Sequence, residues 1–316
     1  MTKQIKEFEN DESMDIFVLI KSADKRVTRA KKDYLSMTFQ DQSGTIRGNF
    51  WDASSEDITN FQAGKVVFLS GLRETYKGNP QVKINSMRLA DDASEPANPK
   101  LYMDKIPVSV DELREEINST VFEITNADWN RIVRYLLKKF DASFFSFPAA
   151  KTNHHAFEGG LAFHTVSILR MAKSVAKQYE QIDKSLLFAG AILHDLGKTI
   201  ELSGPVGTTY TVPGNLLGHI VLIDEEIVKA AQELKIDTNS ESMIILRHMI
   251  ISHHGLKEYG SPIEPHMLEA VVLHALDDLD AQIQMVSGAL KGVTPGTFSE
   301  RIFGMDGRNF YQPETK

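Results

Sequence analysis

"GAILHDLGK", residues 190–198, ends an apolar run with a histidine and an aspartate side by side. Ala189, Ile192 and Leu193 suit a buried helix, but a packed core gives no reason for His194-Asp195. Both side chains ligate metals. Neighbouring residues leave a helix end in different directions, so one can serve an ion while the other bridges to a second. A lone HD dipeptide is common by chance. Its meaning turns on whether the rest of the chain supplies partners.

All ten histidines lie beyond residue 150, and several fall into an order. His164 sits in the first turn of a helix after "EGGLAF", and His194-Asp195 close the next. His219 opens a third behind Gly218, His253-His254 close a fourth, and Asp277 lies inside a fifth. The chain thus reads H…HD…H…HH…D, one group per consecutive helix. A single histidine on a helix is usually structural, but that explanation would have to hold separately at every one of these positions. Imidazole with carboxylate suits manganese, iron, cobalt or zinc. A set this large exceeds what one ion needs if it must also bind substrate. It fits two ions bridged by a carboxylate and a water.

These positions belong to a helical region. "DELREEINSTVFEI" and "NADWNRIVRYLLKKF" carry apolar residues at three- and four-residue spacing. A loop over 143–160 is followed by helices over 161–179, 184–198, 215–235, 240–254 and 266–286. The stretch 203–215 is either a hairpin over the site or a long connection, and the C-terminus from Pro295 is a surface tail or contact arm.

The first ninety residues read differently. Strands are expected over 14–20, 34–41, 45–51, 65–76 and 80–89, with turn signals such as Asp41–Gly44 and Lys77–Pro80 between them. Leu35, Met37 and Phe39 alternate with Ser36, Thr38 and Gln40. A short helix falls at 54–62, after the third strand, which is the order of an OB-fold barrel, although other small barrels would show similar strands. Phe39 and Phe68 are expected in its core. The expected division is 1–92 as an OB-fold nucleic-acid-binding domain, 93–105 as an acidic, proline-bearing linker, and 106–316 as an all-α region with its tail.

Composition bounds the rest. The chain has 316 residues, no cysteine, and a net charge of −8. Disulfides, thiol catalysis and cysteine-zinc sites are excluded. The polar N-terminus has no apolar signal-peptide core, and no stretch approaches the roughly 20 apolar residues of a membrane-spanning helix. A cytoplasmic protein without a membrane partner is expected, and a homo-oligomer is left open. Net acidity argues against coating nucleic acid by bulk charge. Yet six basic residues cluster between Lys21 and Lys32, compatible with a local groove or simply a solvated loop.

The order H…HD…H…HH…D, with "GGLAFHT" and "ILHDLGK", resembles the HD-domain metal-dependent phosphohydrolases over about residues 150–285. With an OB-fold ahead of it, the whole chain, including "YTVPGNLLGHI" (210–220), resembles the YhaM family of 3′-to-5′ exoribonucleases, the cmp-binding factors. That resemblance implies hydrolysis of single-stranded RNA, with single-stranded DNA as a second substrate. It implies two divalent ions, manganese foremost and iron, cobalt or zinc as alternatives. By position, His164, His194, Asp195 and Asp277 would hold the first metal, and Asp195 would bridge to a second held by His219, His253 and His254. Asp278 competes with Asp277 for the last place, and Asp277 is favoured by its "xLD" context. His154, His155, His248, His266 and His274 have no place in the pattern.

A metal pair activates water near neutral pH without a dedicated carboxylate base. Asp195 would then be catalytic. Lys198 could stabilise charge on a phosphate oxygen, or simply cap its helix. For strand binding, Lys25, Arg26, Arg29, Lys31, Lys32 and Arg47 offer phosphate contacts, and Trp51 and Tyr76 offer stacking or core packing. Two rival readings stand beside the nuclease: an HD phosphohydrolase of mononucleotides or cyclic dinucleotides, and a nucleic-acid-binding regulator.

Overall fold

The computed structural model describes residues 3–76, 79–103, 108–150 and 157–315. The chain divides into two compact units, one of residues 1–105 with 205–208 and one of 106–204 with 209–316.

In the first unit β1 (Ser13–Val27), β2 (Asp33–Asp41), β3 (Gly44–Phe50), β4 (Val66–Tyr76) and β5 (Asn79–Leu89) close a barrel in the order β1-β2-β3-β5-β4. The β3–β5 pair is parallel and the others antiparallel. Helix α1 (Ser55–Asn60) joins β3 to β4 and starts at a Ser54–Asp57 capping box. This is OB-fold topology. The alternation in β2 explains its face: Leu35, Met37 and Phe39 are buried with Val18, Ile20, Ile46 and Leu69, while Ser36 and Thr38 stay half-buried on the outside.

Three features of this unit differ from the sequence reading. Strand β1 continues to Val27, so Lys25 and Arg26 lie on a strand, and the turn covers only 28–32. Beyond Ile20 the strand leaves the interior, with residues 24–27 exposed. It still pairs with β2, as in Lys25 with Leu35, but no apolar alternation advertises it. Phe68 is half-buried rather than core, because Val67 and Leu69 take the inward positions. It stacks edge-on against Phe17 at 5.0 Å under the Arg88 guanidinium. The acidic segment after β5 is no free tether. Tyr102 and Met103 pack on Leu19 and Val66, and the Gln42 amide donates to the Leu101 carbonyl at 2.9 Å. The Lys77-Gly78 turn lies outside the described residues.

The second unit contains α2 (Val110–Phe122), α3 (Ala127–Lys139), α4 (Asp141–Phe144), α5 (Gly160–Gln178), α6 (Lys184–Leu193), α7 (Lys198–Glu201), α8 (Val212–Glu233), α9 (Glu241–Ser252) and α10 (Leu268–Leu290). Helix α6 is the hub. Every residue from Ser185 to Leu193 is buried, the mark of a helix that is apolar all round, and α2, α3, α5, α9 and α10 pack against it. Asp183 caps its start by accepting from the Ser185 and Leu186 amides. The helix stops at Leu193, not at Lys198, and His194–Gly197 wind through tight turns into α7.

Helix α8 is broken at Gly218, whose φ of 76° and ψ of 157° lie outside the helical region. His219 therefore opens the second segment, as the sequence reading has it, although helix also precedes it from Val212. Between α7 and α8, Leu202 bridges Tyr210. The tail is a hairpin, with Phe298 bridging Tyr311 and Ile302 bridging Arg308.

Gly197 is fixed by proximity. A Cβ there would stand 2.2 Å from the His219 carbonyl oxygen. Gly197→Ala is expected to destabilise the protein by about 1–3 kcal/mol through overpacking. Gly288→Ala, in α10 with nothing within 4 Å of the added Cβ, should instead stabilise by roughly 0.5–1 kcal/mol. Chemical denaturation of the two variants checks the opposite signs.

Candidate metal centre

Five helices, α5, α6, α8, α9 and α10, converge on a buried cluster, with Asp195 in the turn that follows α6. His194 and His253 are the C-caps of α6 and α9, so the negative ends of two helix dipoles meet there, a setting that favours cations. The histidines are oriented by their second ring nitrogens. Nδ1 of His194 donates to the Ala191 carbonyl at 2.8 Å, that of His253 to Ile250 at 2.7 Å and that of His254 to Tyr259 at 2.7 Å. His164 Nδ1 reaches Asp280 at 2.7 Å and His219 Nδ1 reaches Glu201 at 3.2 Å. Every one of these partners can only accept. Each Nδ1 therefore carries a proton, and each Nε2 is left to face the interior of the cluster.

The Nε2 atoms form two sets. In one, His164 Nε2 stands 3.1 Å from Asp277 Oδ1 and 3.3 Å from His194 Nε2. In the other, His219, His253 and His254 gather round Asp195, with all ligand atoms within 4.8 Å of one another. Asp195 belongs to both. Its Oδ2 lies 3.5 Å from His164 and 3.4 Å from His194, while its Oδ1 lies 3.3 Å from His219 and 3.9 Å from His253.

The second set shows what it lacks. Asp195 Oδ1, His219 Nε2 and His253 Nε2 are buried without a hydrogen-bond partner, a costly state. A divalent cation would satisfy all three at once, so the residues present fit a metal.

Electrostatics agree. Burial acts to raise the Asp195 carboxyl, but Lys198 and the imidazoles of His194 and His219 hold it well below the ordinary carboxylate range. Lys198 Nζ sits 2.7 Å from Asp195 Oδ2. Burial works against its charge, and Asp195 outweighs that to raise its pKa. Burial also opposes a charged His164, yet Asp277 and Asp280 push it up to about 9. The first set thus attracts positive charge strongly enough to hold a proton. His253 and His254 are lowered, chiefly by burial, and stay neutral, the form that ligates metals.

All seven sequence-derived ligand residues lie in this cluster, and Lys198 joins them as a half-buried ion-pair partner of Asp195. Asp278 instead accepts from Gln282 at 2.6 Å. His266 donates its amide to His248 at 2.9 Å, away from the cluster, and His154 and His155 lie outside the described residues. Sequence reasoning missed three orienting groups. Asp280 is one helical turn beyond Asp277, and Glu201 is one turn beyond Lys198. His274 Nδ1 pairs with the His253 carbonyl at 2.9 Å. The spacing of three residues was the only available signal for the two acids.

On the barrel, Lys25, Arg26, Arg29, Lys31 and Lys32 are exposed around the β1–β2 turn. Lys25 pairs with Asp33 and Lys32 with Asp52, each at 2.8 Å. Trp51 is 56% exposed and lies over Tyr34 with ring centroids 4.6 Å apart, so it is a surface platform rather than core. Arg47 is exposed further along β3, opposite Thr38 and Gln81. Tyr76 is exposed at the end of β4, opposite Asn79. The turn gathers the five basic residues and Trp51, while Arg47 and Tyr76 occupy other places on the barrel.

Asp280→Asn is expected to weaken divalent-metal binding by about 10–100-fold, because the ring of His164 loses its charged acceptor. Metal titration of the purified variant checks this, with an unchanged circular dichroism spectrum as the control for folding.

The HD domain family matches residues 161–282, and the OB-fold nucleic acid binding domain family matches residues 18–90. The 3′-5′ exoribonuclease YhaM of Listeria monocytogenes is 45% identical over 313 residues, covering 99% of both chains. Its counterpart in Bacillus licheniformis is 45% identical over 315 residues with the same coverage. A solved domain of replication protein A from Methanococcus maripaludis matches at 21% identity, covering 29% of this chain and 97% of that one, with a TM-score of 0.25. Identity of this extent over both full lengths settles the relationship: the chain belongs to the YhaM family of 3′-5′ exoribonucleases.

Proposed function

We propose that the protein is a metal-dependent 3′-to-5′ exoribonuclease that releases nucleoside 5′-monophosphates from single-stranded RNA. It takes single-stranded DNA as a second substrate, works in the cytoplasm and uses a pair of manganese ions. Residues 1–92 bind the strand, 93–105 connect, and 106–316 cut. The observation that carries this reading is the splitting of Asp195, whose two oxygens face two separate donor sets. A mixed imidazole and carboxylate environment suits manganese. Two divalent ions held there would supply activation of water near neutral pH and neutralise charge on a phosphodiester.

The chain's own residues do the remaining work. His164, His194 and Asp277 would hold one ion and His219, His253 and His254 the other, with Asp195 available to both. Lys198, anchored by Asp195 at 2.7 Å, donates to a non-bridging phosphate oxygen and stabilises the charge that builds there. On the barrel, Trp51 over Tyr34 offers a stacking surface, and the basic turn offers phosphate contacts. The names of the relatives, 3′-5′ exoribonucleases, support the direction of degradation.

Incubating the manganese-loaded protein with a 5′-labelled oligoribonucleotide should give a ladder shortening from the 3′ end. Asp195→Ala should leave the oligonucleotide intact, carry less metal by elemental analysis, and still bind the strand. Turnover of mononucleotides beside an untouched oligonucleotide would replace this reading with that of a small-molecule phosphohydrolase.

The basic turn makes a separate expectation. Each phosphate contact releases counterions, so log affinity falls with log salt at about −0.7 per contact on single strands. Replacing Arg29, Lys31 and Lys32 together with Gln should flatten that slope by about two units. Binding titrations over a range of salt measure it, and equal slopes would mean the turn is merely solvated.

A further inference from the structure

The metal centre opens into a cavity of about 720 Å³ within the helical unit. Its lining includes Lys198, His219, His254 and Asp277, together with Met305 and Arg308 of the C-terminal hairpin. That hairpin lies beyond the matched HD region, which ends at residue 282. It is built rather than loose. Met305 is buried, Gly304 lies against the Met285 sulfur, and the Ser299 amide donates to the Phe310 carbonyl at 2.8 Å.

The cavity has an imbalance of charge. Glu201, Asp277, Asp278 and Asp306 line it, against two Lys/Arg side chains among the described lining residues, Lys198 and Arg308. Lys198 is anchored on Asp195 and is assigned above to the scissile phosphate, which leaves Arg308 for a neighbouring one. Arg308 is placed differently from other arginines of this unit. Arg114, Arg170 and Arg247 each fork onto a carboxylate. Arg308 donates its Nε to the Met305 carbonyl at 3.0 Å, and its nearest described carboxylate is Asp306, only at 4.0 Å. The backbone bond tethers Nε, the Phe310 ring lies 5.8 Å from the guanidinium carbon, and the side chain, 57% exposed, leaves its terminal nitrogens open to an acceptor. A guanidinium that lines the same cavity as the metal cluster offers the fork that matches phosphate geometry.

We propose that Arg308 is a positioning residue that binds the backbone phosphate next to the scissile one on its 5′ side and so seats the terminal nucleotide of the RNA. The inference rests on the nuclease reading above. Removing a charge-assisted contact made equally in ground and transition states raises KM and spares kcat.

The test uses the full-length, manganese-loaded protein and its Arg308→Gln and Arg308→Lys variants, each on two substrates. One is an oligoribonucleotide. The other is bis(4-nitrophenyl) phosphate, which has no neighbouring phosphate. Arg308→Gln should raise KM for the oligoribonucleotide roughly 10–100-fold, leave kcat unchanged, and leave kcat/KM for the small diester unchanged. Arg308→Lys should recover part of the loss, since an ammonium supplies the charge but not the fork. An unchanged KM for RNA overturns the inference. So does an equal loss on both substrates accompanied by lower metal content, which would make the hairpin a structural prop. The wild-type protein separates this from the broader reading. If it fails to shorten RNA, the nuclease reading falls and takes this inference with it. If it turns over normally while Arg308→Gln matches it, this inference alone falls.

Discussion

A carboxylate sealed inside protein is expensive unless cations and hydrogen bonds surround it, and Asp195 is sealed at 2% exposure. Much of the helical unit's construction answers that one charge. An all-apolar helix delivers it to the centre, and Lys198 folds back onto it. Four of the six surrounding ligands reach one or other of its oxygens within 3.9 Å. The arrangement is stable without an ion only in part, since one oxygen and two imidazole nitrogens stay unpaired. A protein does not usually leave three such atoms facing one another in its interior for packing alone.

Much of this was legible in the sequence because ligands must be particular residue types. Histidine and aspartate are among the few side chains that ligate metals, so their order along the chain carries information that survives without coordinates. The β2 alternation was legible for the same kind of reason, since a buried face demands a period of two. What escaped was whatever depends on contact rather than composition. Strand β1 past Ile20 has no buried face to announce it. Glu201 and Asp280 are acids in helices, and only the fold brings them to imidazole nitrogens 18 and 116 residues away. The tail looked like a tail because its ordering comes from backbone bridges and one buried methionine.

The break in α8 shows how local chain geometry feeds the centre. Gly218 ends one helical segment so that the next begins with a free amide, and Glu201 accepts from both the amide and the ring of His219, at 3.1 and 3.2 Å. A single carboxylate oxygen thus fixes the main chain and the side chain of one ligand together. Gly197 lets the turn after Asp195 press against the carbonyl of that same residue. Two ligands remote in sequence are held in register by glycines that carry no chemistry themselves.

His194 and His253 each turn back on the carbonyl three residues earlier, at Ala191 and Ile250. Every amino acid presents that carbonyl. The aim of these two rings is therefore written in the main chain, and the side chains at 191 and 250 are free to drift for packing without retuning the ions. His164 and His219 depend on acidic side chains instead, and there a single change of residue would alter both aim and charge. Across long divergence the centre should consequently age unevenly: three of its ligands, with His254 on the Tyr259 carbonyl as the third, are insulated from the identity of their supporting residues, and two are hostage to it.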